Sequence, residues 1–141
     1  MVLVNARSDV TIASDVSLAL TRAERNRGLL GRDSLDPSAA LVISPCSSIH
    51  TMFMRFPIDV IFVDGEGRAV RIVRNLAPWR IALALRAHAV IELAAGSLTR
   101  DLRVGDELYL APPVSPGLKV PRRANLGFWD RNLQGSWSRN L

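Results

Sequence analysis

From Asp59 to Leu76 the chain reads DVIFVDGEGRAVRIVRNL, two short runs rich in Val and Ile on either side of Asp64-Gly65-Glu66-Gly67. Apolar, β-branched runs this short favour strands, and a glycine-containing link of this length suits an antiparallel hairpin. Similar runs recur along the chain. VSLALT (16–21) alternates apolar and polar residues with a period of 2, the mark of a strand buried on one face. AALVIS (39–44), SIHTMFMRF (48–56), HAVIEL (88–93) and DELYLA (106–111) extend the series.

Helix is scarce. In TRAERNRGLLGRDSL, Thr21 caps a short helix with Glu24 three residues on, and Gly31 is its expected end. SLTRDL (97–102) reads as a single helical turn capped by Ser97. Seven short strands with turns between them and so little helix predict a mainly β domain, a sandwich or a barrel. No internal repeat and no linker interrupts residues 1–111, which form one domain.

Of the net charge of +5, residues 112–141 supply +4, through Lys119, Arg122, Arg123, Arg131 and Arg139 against Asp130. This segment also holds Trp129 and Trp137 and lacks a sustained period, so it reads as a basic C-terminal arm resting on the domain or on a second subunit. Homo-oligomerisation through residues 112–141 follows as an expectation. Basic residues interleaved with aromatics can also hold single strands. The strong bias of arginine over lysine, however, fits a coding preference as readily as phosphate recognition, and a nucleic-acid partner is not expected.

A single cysteine among 141 residues cannot form an internal disulfide, which fits a reducing compartment. No run approaches the roughly 18 to 20 apolar residues needed to span a bilayer. Asp9 and Asp15 interrupt the amino-terminal stretch where a signal peptide would be apolar. A cytoplasmic location without membrane attachment is therefore expected.

Between Val16 and Leu110, the elements LTRAERNRGLLGRDSL, FPIDVIFVDGEGRAV, LAP, VIELAAG and RVGDELYL resemble the prokaryotic family called domain of unknown function 192. The most specific part is the proline, aliphatic and aspartate that open an apolar strand ending in an Asp-Gly turn. The resemblance implies a two-layer β-sandwich related to jelly rolls, with one short helix near the start. It also implies frequent export or lipid anchoring, for which this chain shows no signal. The family has no established activity, so the resemblance leaves function open. Many members carry Trp-Met-Lys-Asn-Thr before the proline. Here His50, Thr51, Met52, Phe53 and Met54 occupy that region, a His-Thr subtype to which no role of the lysine or asparagine transfers.

The candidate site lies in CSSIHTMFMRFPIDVIFVD (46–64). In an extended strand Cys46 and His50 would be about 13 Å apart, beyond the reach of a Cys-His nucleophile, so Cys46 reads as a spectator thiol. His50 and Met52 would share a face about 6.6 Å apart, a pair suited to copper(I). Met52 and Met54 can equally fill gaps in the core. Asp59, just after Pro57, needs partners once buried. Backbone amides, Arg55 or His50 can supply them, making Asp59 either an anchor for the fold or the residue that orients His50.

Trp79 follows Pro78 and can line a pocket or pack at its rim. Glu92, opposite in direction to Ile91 and Leu93, can meet an arginine across the sheet but reads first as a solvated residue, and Asp106 reads as a turn residue. No phosphate-binding glycine motif, paired-cysteine spacing or Ser-His-Asp signature is present, so no enzyme class is indicated. The leading expectation is a non-catalytic binding module for a small ligand or soft metal near His50, with Met52, Met54, Arg55, Asp59 and Trp79 around it. The alternative is an assembly protein that docks on a protein partner through its C-terminal arm.

Overall fold

The computed structural model describes residues 1–113. The expected arm therefore lies outside the described residues from position 114 onward. The chain opens with β1 (Val2–Asn5), β2 (Val10–Ala13) and β3 (Asp15–Ala19), followed by helix α1 (Arg22–Arg27). Next come β4 (Ala39–Ile43), β5 (Ser48–His50), β6 (Ile58–Val63) and β7 (Ala69–Leu76). β8 (Ile81–Leu83), β9 (Ala89–Ala94) and β10 (Leu108–Ala111) complete the described part.

The centre is a five-stranded sheet in the order β3-β4-β9-β6-β7. β3 and β4 are parallel and the other neighbours antiparallel. Parallel neighbours need a long crossover, and residues 20–38, which contain α1, provide it. A three-stranded sheet, β10-β1-β2, and a two-stranded one, β5-β8, lie outside the central sheet. The chain is thus mainly β, with several packed sheets and one short helix, as its turn-punctuated strands predict.

Side chains alternate across the central sheet and build two cores. On one face Val42, Ile61, Ile91 and Leu93 pack with Leu3, Leu108 and Leu110 of the three-stranded sheet. On the other, Leu41, Ile43, Val60, Phe62 and Val90 pack under Leu29, Leu35, Ile49, Met54 and Ala82. These covering residues come from the segment after α1, from the β5-β8 pair and from the loop after β5. Both faces of β6 and β9 are therefore covered, which explains why their sequences are almost continuously apolar. Each fully buried side chain of this kind contributes about 1.5–3 kcal/mol.

Two buried acids organise the first side. Asp59 accepts three backbone N–H bonds, from Asn75 at 2.8 Å, Gly96 at 3.0 Å and Leu98 at 3.2 Å. It thereby ties the end of β7 and the loop after β9 to β6. Asp106 accepts from Arg7 Nε at 2.7 Å, Asn5 Nδ2 at 2.8 Å and the Arg103 amide at 2.9 Å. Its hydrogen bond from Arg7, helped by Arg103, Asn5 and the guanidinium charge, holds the carboxyl well below the usual range against the opposing effect of burial. Asp106 is a buried junction between β1 and β10 rather than a simple turn residue.

Several expectations need correction. The capping box of Thr21 and Glu24 forms, but α1 ends at Arg27 rather than at Gly31. Gly28 takes a φ of +46°, open to glycine at little cost, while its N–H still reaches Glu24 O at 2.9 Å. That turn drives Leu29 into the second core. Residues 97–102 are not helical, and the Leu98 amide donates to Asp59 instead. The strand expected over 48–56 stops at His50, and Phe53 has a φ of +65°. β1, β2 and β8 are additional to the expected strands. Among the described residues, no helix is long and apolar enough to cross a membrane.

Candidate functional site

The second core is incompletely covered. A cleft of about 370 Å³ opens between α1 with its following turn, the β4–β5 connection and β5. α1 and its turn contribute Arg25, Asn26, Arg27 and Leu30 to the wall. Pro45, Cys46, Ser48 and His50 form the opposite wall, and Met54 closes one side. The opening follows from the shortness of its two covers, a six-residue helix and a three-residue strand.

Glu92 lies beneath this cleft. On β9 it sits in register with Leu41 of β4 on one side and Val60 of β6 on the other. The period of 2 turns Glu92 away from Ile91 and Leu93, toward the second core. It is only 4% exposed, and its Oε2 has no hydrogen-bond partner among the described residues. Burial pushes its carboxyl up to about 7. The solvated setting expected for Glu92 is thus overturned, because the covers over this face turn a surface position into a buried one.

The side chains around Glu92 differ in character. The half-buried Cys46 thiol donates to Ser48 O at 3.0 Å. Burial pushes this thiol up and Glu92 adds to the effect, while the Ser48 contact and the Arg25 charge oppose it. A thiol held protonated is a poor nucleophile, in keeping with a spectator role. Arg25 is steadied by a hydrogen bond from Nη1 to Leu20 O at 3.1 Å. Arg25 and Glu92 line the same cleft without forming an ion pair. His50 is exposed on β5 and contributes to the rim.

Of the six residues singled out from sequence, only His50 and Met54 reach the cleft. Met54 is buried as a core residue, whereas Met52 is exposed rather than filling a core gap. Extended backbone ends at His50, so the alternation expected to put His50 and Met52 on one face does not continue through Met52. Arg55 pairs with Asp33, not with Asp59. Asp59 faces the first core, where its three amide bonds match the anchor expectation. Trp79 is 57% exposed and stacks at an angle on Phe53, ring centroids 4.7 Å apart. Among the described residues, no three His, Cys, Asp or Glu side chains gather as a metal-binding group.

Thr51, noted in the sequence only as part of the His-Thr variation, is a fully buried junction. Its hydroxyl donates to Ala77 O at 2.7 Å and accepts from the Arg80 amide at 2.9 Å. Its carbonyl receives the Trp79 amide at 2.9 Å. This network holds the loop after β5 against the loop before β8. Glu92, the other residue missed, carried one signal: a carboxylate within the apolar run VIELAA, at the position of a central strand.

Comparison with known proteins places the chain among proteins of unassigned activity. Residues 3–110 match the family described as uncharacterized ACR, domain of unknown function 192. A UPF0127 protein of Pyrococcus horikoshii is 37% identical over 97 residues, a match covering 64% of this chain and 81% of that relative. Two crystal structures are similar. One is a protein of unknown function from Novosphingobium aromaticivorans, with a TM-score of 0.61 and 26% identity, covering 67% of this chain and 74% of that one. The other, named for a proposed role as a transcription regulator, is from Sinorhizobium meliloti, with a TM-score of 0.65 and 25% identity. That match covers 76% of this chain and 88% of the other. The chain belongs to the domain of unknown function 192 family.

Proposed function

We propose that this member of the family is a non-catalytic binding module that takes a small molecule in the cleft between α1 and β5. One observation carries the reading: Glu92 Oε2 is buried beneath a concave opening with no partner among the described residues. An orphaned buried carboxyl costs stability, and cores rarely retain one without a use. The volume of about 370 Å³ falls within the range typical of ligand pockets. The walls combine apolar surface from Leu30, Pro45 and Met54 with a few polar groups, the mixture that fixes a ligand's orientation. A protonated thiol and an imidazole at the rim do not amount to a nucleophile with its base, which favours binding over catalysis.

The test is a fragment screen on the full chain, read by amide chemical shifts. Binding fragments should perturb Arg25–Leu30, Cys46–His50 and Glu92 together. A Ser48→Trp variant, which plugs the cleft from an exposed position on β5, should abolish those responses. Hits clustered elsewhere, or hits that survive the plug, would refute the reading.

A further inference from the structure

Glu92 and Arg25 also suggest the chemical class of ligand, an inference that rests on the cleft being the binding site. The acid is deep and central, and its Oε2 has no partner among the described residues. Burial is what displaces its titration, and among the described residues no ion pair compensates it. The guanidinium of Arg25 belongs to the same cleft, yet no ion pair joins the two. Arg25 instead spends one N–H on Leu20 O. Arg27, from the last turn of α1, adds a second cation to that wall. The cleft thus separates an acidic floor from a basic wall and leaves the space between them unfilled by side chains.

A ligand carrying only an anion would answer the arginines but set a like charge or an unmatched acceptor against ionised Glu92. An apolar ligand would seal Glu92 away from water with no partner at all, the most costly arrangement for a carboxylate. A molecule with a cation at one end and an anion at the other satisfies both ends. We propose that the cleft binds a small zwitterion, an amino acid or ω-amino acid, with its ammonium group on Glu92 and its carboxylate toward Arg25 and Arg27.

The groups facing Glu92 determine how binding responds to pH. The flanking strands present Leu41 and Val60, which do not titrate. α1 presents Arg25 and Arg27, the β4–β5 connection presents Cys46, and β5 presents His50. The thiol is pushed up, away from neutrality. Binding an ammonium group requires Glu92 in its ionised form. A carboxyl that titrates near 7 gains about tenfold in ionised fraction between pH 6 and pH 8.

Three probes of matched length separate the possibilities: 4-aminobutyrate, butylamine and butyrate, each titrated into the full chain with amide chemical shifts as the readout. 4-Aminobutyrate should bind tightest of the three, and about tenfold more tightly at pH 8 than at pH 6. Glu92→Gln should weaken it at least tenfold at pH 8, on the order of one charge-assisted hydrogen bond, and flatten the pH dependence. His50→Gln should leave that dependence in place. Arg25→Gln should weaken 4-aminobutyrate while sparing butylamine. The proposal is overturned if butyrate binds as well as 4-aminobutyrate, if affinity falls from pH 6 to pH 8, if Glu92→Gln binds like the parent, or if none of the probes perturbs the cleft. Loss of fragment binding in Ser48→Trp would still support the cleft as a site in any of these cases, so the two proposals fail separately.

Discussion

The two sides of the central sheet bury acids in opposite ways. On the side of the three-stranded sheet, Asp59 and Asp106 have their oxygens answered by backbone amides, Asn5 and Arg7. On the side of α1 and β5, Glu92 is equally buried and its Oε2 is answered by nothing among the described residues. The first arrangement converts polar groups into fasteners. The second leaves a cost in place beside an opening. A single sheet therefore separates its tasks by face, with cohesion on one and an unmet chemical demand on the other, and unmet demands of this kind mark functional sites more often than stability elements.

The contrast breaks most sharply at Asp59. Replacing it by Ala orphans three backbone amides, at roughly 1–3 kcal/mol for each buried group. Asp59→Ala should therefore lose about 4 kcal/mol in urea unfolding, and a loss below about 1 kcal/mol would remove its anchoring role. Glu92→Gln should act in the other direction. Its folded carboxyl titrates at about 7 against 4.5 when unfolded, so the folded state binds more protons between those values. Stability from this group is full below 4.5 and is lost as pH rises through 7. The parent should fall by about 3 kcal/mol relative to Glu92→Gln between pH 4 and pH 8. Parallel pH profiles for the two proteins would contradict the unpartnered burial.

Asp106→Asn carries the opposite sign again. The folded carboxyl is held low by Arg7, so its contribution is present above the unfolded value near 4 and disappears as pH falls below it. Arg7 is partly solvated, which screens the pair. A loss of about 2 kcal/mol at pH 7, narrowing as the pH drops below about 4, is expected from urea titrations. The smallest effect belongs to the cleft wall. Thr21→Ala removes the capping box of α1 and should cost about 1 kcal/mol. Hydrogen exchange should quicken at Arg25 and Gly28 while the β9 amides stay protected, and equal acceleration in both would show that the two sides are not separable.

Much of this design can be read from the residues, in a graded way. β3, β4, β6, β7 and β9 announce themselves through Val and Ile runs or a period of 2. β1, β2 and β8 are not among the expected strands, although β5 and β10, equally short, fall within expected runs. The segment after His50 defeats an extended reading because the Thr51 network folds it into turns, and those partners lie 26 to 29 residues away. Asp59 is readable as an anchor because proline and an apolar strand surround it. Glu92 shows the limit. Its direction follows from alternation along β9, but its burial depends on α1 and the β5-β8 pair lying overhead, and nothing near Glu92 in the chain encodes that placement.

The parallel pairing of β3 and β4 has a consequence for what the cleft can admit. α1 is six residues long, too short to persist as an isolated helix in water, and none of its side chains is buried. Two residues join it to β3 and eleven join it to β4. The wall it forms is thus tethered closely at its start and loosely at its end, so guests of different size should be accommodated there rather than by the sheet.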